Sequence, residues 1–291
     1  MELNKEQRLV QQTAARFADE VVRPEAARLN EEEAFPDEIY RRMARDGFLG
    51  IGISTDFGGA GADTVSYALV MEELSRGYSS VADLCGLVEL VAGLLDGHGT
   101  KEQKNAYLAP LLRAELKCAF ALTEPEAGSD LSGIKTFAEP TAEGWRLNGS
   151  KVLINNGPVC DFAMVLARTE KDSGSKGLST FLVERAWQGF TSGPPEHKMG
   201  QRASQLSALY FDDVLLPRTA LLGTQGEGFK NIMWTLDKGR IGISALAVGI
   251  CQAALDTATD HAKQRVQFER PIADNQAIQW MLADMAKDTH A

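Results

Sequence analysis

The spacing of apolar residues changes twice along this chain, and those changes constrain the fold more than any single motif. Up to about residue 117 the period is helical. Val10, Ala14, Phe17 and Val21 recur at intervals of four, three and four, which gathers them on one helix face. Asn4 with Gln7 reads as a capping pair at the start of that helix, and Pro24 is expected near its end. Further helices are expected around 36–46, 64–77, 80–96 and 100–114, the last opened by a second capping pair, Thr100 with Gln103. Near residue 117 the pattern turns to alternation suited to strands, in KCAFALT, WRLNGSKVLI, DFAMVLART, LSTFLVE and SALYFDDVLL. Asn148-Gly149 lies between two such runs and predicts a type I′ hairpin, because both residues accept positive φ. After Gly223 the helical period returns, with a stripe of Ile243, Leu246, Ile250 and Ala254. Pro271 interrupts it, and Ile278, Met281 and Met285 carry an amphipathic pattern toward the last residue.

These periods predict an α+β, multidomain chain. An N-terminal α-helical domain covers 1–117, a mainly antiparallel β domain of barrel or sandwich type covers 118–222, and an α-helical bundle domain begins at 223. No glycine cap or polar tail closes the last amphipathic segment, so this third domain (223–291) is expected to be incomplete, cut partway through.

Composition narrows the function classes. A chain of 291 residues with 44% hydrophobic and 24% charged residues has enough apolar material for more than one core. Its formal net charge of −10 repels phosphate backbones, which argues against nucleic acid as a partner. The amino terminus has no signal-peptide core. The most apolar stretch, 81–95, is too short to span a bilayer and contains Asp83 and Glu89, so no membrane insertion is expected. Cys85, Cys118, Cys160 and Cys251 are scattered, as are His98, His197, His261 and His290, which predicts reduced thiols, no disulfide framework and no metal site. There is no βαβ alternation, and GTQGEGF (223–229) has neither dinucleotide-fold nor P-loop spacing.

ALTEPEAGSD (121–130) is the stretch that most invites a chemical reading. Pro125 fixes φ and Gly128 frees it, so a turn there can expose N–H groups to a ligand. Thr123 and Ser129 add hydroxyls, and Glu124 with Asp130 could form an acid/base pair. Spacing alone favours a solvated turn over either.

The same stretch closely resembles the signature of the FAD-dependent acyl-CoA dehydrogenases, and others agree in order: KVLINNG (151–157), KMGQRAS (198–204), LPRTALLGTQGEGF (216–229), LDKGRIGISALAVGICQAALDTA (236–258) and RVQFERPIADNQAIQ (265–279). The similarity spans essentially the whole chain. It implies FAD as cofactor, with Phe120, Ala121, Leu122, Thr123, Gly128 and Ser129 along one side of the flavin and Leu153, Ile154 and Asn155 along the other. It implies that Arg265, Gln267, Phe268, Asn275 and Gln276 reach the ADP portion of FAD in a neighbouring subunit, an assignment suited to the planar, bidentate guanidinium. Ser129, Asp237 and Arg240 are implied to contact the acyl-CoA. A homo-oligomer (dimer or tetramer), an electron-transfer flavoprotein as acceptor, and a bacterial cytoplasmic or mitochondrial matrix location follow from the same resemblance.

Three positions depart from the family pattern. Leu153 stands where an aromatic often packs on the flavin, Asn155 where a Thr usually bonds the flavin edge, and Glu269 where Gly usually follows Phe268.

The implied reaction is α,β-dehydrogenation of an acyl-CoA thioester, in which a carboxylate removes the α proton and the β hydrogen leaves as hydride. In most of the family that Glu lies further along the third domain. In a minority it immediately precedes the Arg of the segment reading LDKGR here, a position held by Gly239. No catalytic base is therefore assigned within these residues, and one is expected beyond 291. Glu89, central in an apolar helix bordering the expected acyl pocket, reads as a polar interruption. Two other readings share the fold: a flavin-dependent monooxygenase or oxidase, and a non-catalytic remnant that binds FAD or CoA.

Overall fold

A computed structural model describes residues 2–171 and 173–291. Its first half is helical: α1 (Lys5–Phe17), α2 (Arg23–Glu32), α3 (Asp37–Arg45), α4 (Thr64–Gly77), α5 (Ser79–His98), and the short α6 (Lys101–Gln103) and α7 (Ala109–Leu112). Both predicted capping pairs close reciprocally, Asn4 with Gln7 and Thr100 with Gln103. The helix does not end at Pro24, as expected from sequence. A π-helical turn at Ala18–Val22 precedes it, and the helix continues to Glu32. Proline lacks the N–H and crowds the carbonyl one turn back, and a widened turn ahead of it relieves both conflicts. The same device recurs at Lys104–Leu108, just before Pro110.

Eight strands form one sheet: β1 (Cys118–Ala121), β2 (Phe137–Pro140), β3 (Gly144–Asn155), β4 (Phe162–Arg168), β5 (Leu178–Glu184), β6 (Phe190–Ser192), β7 (Leu206–Pro217) and β8 (Leu221–Leu222). The order is β6-β7-β3-β2-β4-β5-β8, with β1 joined to β4. Most pairs are antiparallel, but β1 runs parallel to β4, so the sheet is mixed. Period-two alternation feeds two cores at once. In β4, Phe162, Met164 and Leu166 pack toward the helices, while Ala163, Val165 and Ala167 pack inside the sheet with Trp145, Phe181 and Phe211. Burial on both faces is why DFAMVLA is almost wholly apolar.

The hairpin expected at Asn148-Gly149 is absent; β3 runs straight through it with a register shift against β7. Asn148 exchanges two 2.9 Å hydrogen bonds with Asp213, from Nδ2 to the carboxylate and from the Asp213 N–H to Oδ1. Gly149 takes φ 145°, and a Cβ there would lie 2.5 Å from Thr136 Oγ1. Pairing on both sides, by β2 and β7, overrides the local turn preference and converts it into a bulge.

The chain ends in α8 (Gly228–Gln264), a small hairpin of β9 (Val266–Gln267) and β10 (Arg270–Pro271), and α9 (Gln276–His290). Of the predicted α8 stripe, Leu246 is buried, whereas Ile243, Ile250 and Ala254 are exposed. The buried face is instead made of small residues, Gly242, Ala245 and Gly249. Cβ atoms at Gly242 and Gly249 would lie 2.2 Å from Tyr67 Oη and 2.2 Å from the Glu72 carbonyl, so their absence lets α8 lie directly on α4. The Ser75 hydroxyl donates to the Leu246 carbonyl at 2.7 Å across that contact. By length and composition α8 could cross a bilayer. Here its small-residue face is spent on α4.

Candidate active site

The ALTEPEAGSD loop leaves β1 and is held by a buried ion pair. Lys151 is fully buried, and its ammonium donates to Glu124 Oε1 at 2.9 Å and to the Leu122 carbonyl at 3.0 Å. Glu124 also accepts the backbone N–H groups of Lys135 (2.7 Å) and Thr136 (3.0 Å). Burial alone would raise the Glu124 carboxyl; the Lys151 charge and these donors outweigh it and hold the group below its ordinary value. For Lys151 burial wins, and its ammonium falls to about 8 despite Glu124. A carboxylate that accepts three hydrogen bonds, one of them from a buried ammonium, is held ionised and is a weak base toward a substrate proton. Glu124 is a clamp. Asp130 closes its own turn on Ser132, accepting from N–H (2.9 Å) and hydroxyl (2.6 Å), so the two acids are not a catalytic pair.

Pro125 and Glu126 form the tip of a tight turn closed by reciprocal Glu124 and Ala127 backbone bonds of 2.8 and 3.2 Å. Gly128 is not left-handed, contrary to its expected role as a turn glycine; a Cβ there would meet only Thr123 Cγ2, at 3.9 Å. What it contributes is open surface beside Thr123. The Thr123 carbonyl accepts from Val152 N at 2.9 Å, and its hydroxyl bonds none of the described residues. Ser129 is exposed on the same rim.

Next to this loop lies a cleft of about 390 Å³ between the sheet, α4, α5 and α8. The sheet offers Phe120, Leu153 and Asn155; the helices offer an apolar wall that includes Met71, Leu87 and Leu236. Leu153 adopts φ 55°, an uncommon conformation for a branched side chain, at the second register shift of β3. The strained bulge turns its side chain out of the sheet, 63% exposed. Asn155 donates through Nδ2 to Asp83 of α5, and Ser204 Oγ lies 2.6 Å from Asp83 Oδ2 and 2.8 Å from Asn155 Oδ1. Asp83 is the one carboxylate among the cleft-lining residues. Gly239 and Arg240 line the α8 side, with Arg240 paired to the exposed Asp237.

Not all expected residues converge. Ala121, Leu122 and Ile154 are buried in the two cores, which leaves backbone groups as their means of reaching a ligand. Arg265, Gln267, Phe268, Asn275 and Gln276 are exposed around the β9–β10 hairpin and the start of α9, and none lines the cleft. At the hairpin tip Phe268 (φ 53°) and Glu269 (φ 64°) are both left-handed, so Glu269 occupies a position that favours glycine.

Sequence reasoning missed Asp83, Tyr67 and Ser204 as site residues. An Asp inside a 20-residue apolar helix was the available signal. Glu89 is more than an interruption: its Oε1 accepts Gly52 N–H at 2.9 Å. Burial pushes its carboxyl up to about 7, against that bond and the charge of Lys238.

A helical domain, a mixed sheet and a second helical region meeting at one apolar cleft are the architecture of a flavoprotein dehydrogenase fold. Residues 4–115, 119–214 and 226–291 match, in turn, the acyl-CoA dehydrogenase N-terminal, middle and C-terminal domains. The chain is 42% identical to the short-chain specific acyl-CoA dehydrogenase of Clostridium acetobutylicum, over 97% of this chain and 75% of that one. It is 40% identical to the caffeyl-CoA reductase-Etf complex subunit CarC of Acetobacterium woodii, over 100% of this chain and 77% of that one. The solved glutaryl-CoA dehydrogenase of Mycobacterium smegmatis in complex with FADH2 superposes with a TM-score of 0.92 at 31% identity, covering 99% of this chain and 73% of that one. The chain belongs to the acyl-CoA dehydrogenase family, whose members bind FAD, and it spans about three quarters of the length of these relatives.

Proposed function

We propose that this chain carries the flavin- and substrate-binding parts of an FAD-dependent acyl-CoA dehydrogenase, oxidising an acyl-CoA thioester to the trans-2-enoyl-CoA and passing electrons to an electron-transfer flavoprotein. The observation that carries the reading is the cleft itself. The Thr123 hydroxyl, which bonds none of the described residues, the open surface at Gly128, and Phe120, Leu153 and Asn155 give a planar apolar ring system a wall and polar edges. With one N–H committed to Asp83, the Asn155 amide keeps a second for a cofactor edge. Flavin, when bound, supplies the hydride acceptor. Ser129 and Arg240, with Asp237 fixing the Arg240 fork, bind and orient the thioester, and the apolar α4–α5 wall excludes water from the reacting carbons.

The α proton needs an acceptor, and the cleft offers none that is free. Asp83 is tied to Asn155 and Ser204, Glu124 to Lys151, Gly239 has no side chain, and Glu89 does not line the cleft. We assign the base to the Glu that the family carries further along its third domain. A second copy of the chain would bring a ligand to Arg265, Gln267, Phe268, Asn275 and Gln276, so the cofactor site is shared in a homo-oligomer. The domain boundaries follow the element order, at 117/118 and 222/223. A bacterial cytoplasmic or mitochondrial location accords with the relatives.

Anaerobic titration of the FAD-loaded protein with straight-chain acyl-CoA thioesters tests this. Binding is expected to perturb the flavin spectrum in the unsubstituted chain. Bleaching is expected to follow once Gly239→Glu places a carboxylate in the cleft, where the Leu90 methyl, 3.0 Å from a Cβ at 239, must yield by a few tenths of an ångström. Failure to retain FAD, or a spectrum indifferent to every acyl-CoA, overturns the reading. Rapid reaction of the reduced flavin with oxygen would favour a monooxygenase or oxidase on the same fold.

A further inference from the structure

Beyond the cleft, between α5 and α8, lies a chamber of about 20 Å³. Tyr67, Leu90 and Gly239 line both spaces, so the chamber adjoins the cleft. Glu89 and Gly93 line it from α5, and Thr235 and Lys238 from α8. Glu89 is six residues beyond Asp83 on α5, which puts the chamber about 9 Å along the helix from the Asp83–Asn155 end of the cleft.

Two of its lining residues carry polar atoms that the fold leaves unserved. Glu89 Oε1 accepts Gly52 N–H, but Oε2 is sealed from solvent and has no partner among the described residues. Thr235 Oγ1 is equally buried and equally unpartnered among them. Stranding a buried oxygen costs on the order of its desolvation, so two such atoms at one chamber call for an occupant. The space is the size of one water or one small polar group. A hydroxyl fits both walls, donating to the carboxylate oxygen while accepting from the Thr235 hydroxyl. An alkyl terminus would strand both atoms. A carboxylate would meet the charge of Glu89, and an ammonium, although it could donate to both oxygens, would meet the charge of Lys238 on the α8 wall.

We propose that the chamber is a subsite for a hydroxyl group at the end of the acyl chain remote from the thioester, so that the substrate class is a hydroxylated acyl-CoA. This rests on the acyl-CoA reading above and deepens it. The plain alkyl chain fills the cleft and stops at Leu90 and Tyr67; the hydroxylated chain continues between them and displaces one water.

Calorimetric titration of the full chain with straight-chain acyl-CoA thioesters and their ω-hydroxy counterparts of matched length tests the subsite without requiring turnover. At the best-fitting length the hydroxy compound is expected to bind about tenfold more tightly. Glu89→Leu should erase that ratio. Gly93→Ala should also reduce it, because it adds a methyl to the chamber's α5 wall, while a Cβ there meets nothing within 4 Å and leaves the packing intact. Both variants should keep their affinity for the plain thioesters within about threefold. A ratio near one in the unsubstituted protein, or a preference that survives both substitutions, overturns the subsite and leaves the chamber with a structural water. Loss of all thioester binding in the unsubstituted chain would instead overturn the acyl-CoA reading, and the subsite with it.

Discussion

Lys151 shows how much one side chain can decide. Its ammonium joins the carbonyl of Leu122 to the carboxylate of Glu124, so it fixes the loop bearing Thr123 and Ser129. Breaking a buried pair leaves one charge uncompensated and costs roughly 3–5 kcal/mol. Lys151→Met should lower stability by about that amount in urea unfolding, and Glu124→Gln added to it should recover part of the loss; an additive double variant would show that the two do not act as a pair. Glu89 obeys a different balance. Its folded pKa, about 7, lies above the ordinary Glu value, so its favourable contribution is full below about 4.3 and lost as pH rises through 7. At ~1.4 kcal/mol per pH unit that loss is of order 3 kcal/mol. Glu89→Gln should therefore raise the melting temperature at pH 8 far more than at pH 5. Equal gains at both would refute the burial argument.

At the level of elements, the contact between α4 and α8 depends on atoms that are missing. Gly249→Val would drive a side chain into the Glu72 carbonyl, which a Cβ already approaches to 2.2 Å. The helices must part, at a cost of about 1–3 kcal/mol. Gly93→Ala, a substitution in the open interior of α5, should be neutral or slightly stabilising in the same denaturant series. If the two variants unfold alike, helix propensity and not close approach governs Gly249. The element scale also explains which expectations from sequence held. Capping boxes are local, closing within three residues, and both formed as read. Asn148-Gly149 is an equally strong local signal, but Asp213 lies across the strand and takes the Asn148 side chain, so the turn became a bulge. Pro24 failed as a helix stop because a π-turn precedes it, and nothing in the composition of ADEVV announces one.

For the whole molecule, the apolar residues that α8 and α9 leave in solvent matter most. Ile243, Ile250, Trp280 and Met281 are all more than two-fifths exposed, although α8 buries glycine and alanine against α4. Large exposed apolar patches mark surfaces that another body covers. In sedimentation velocity the chain should self-associate at micromolar concentration, and Ile250→Lys with Trp280→Lys should shift it toward monomer. A strictly monomeric chain that both substitutions leave unchanged would remove the case for a shared cofactor site at Arg265 and its neighbours.

From sequence alone came the helix–sheet–helix order, the family, and the loop at 121–130, because each is written in periodicity or in contiguous residues. Which acids are catalytic and which structural was not legible. Of Glu124 and Asp130, Asp130 is the nearer to Lys135 in sequence, and Glu124 is nearer to Asp130 than to any cation, yet Glu124 is neutralised by Lys151, 27 positions away. Asp83 meets Asn155 across 72 positions, and Glu89 meets Gly52 across 37. The state of a buried charge depends on what the fold brings within hydrogen-bonding distance, and only the tertiary structure supplies that distance.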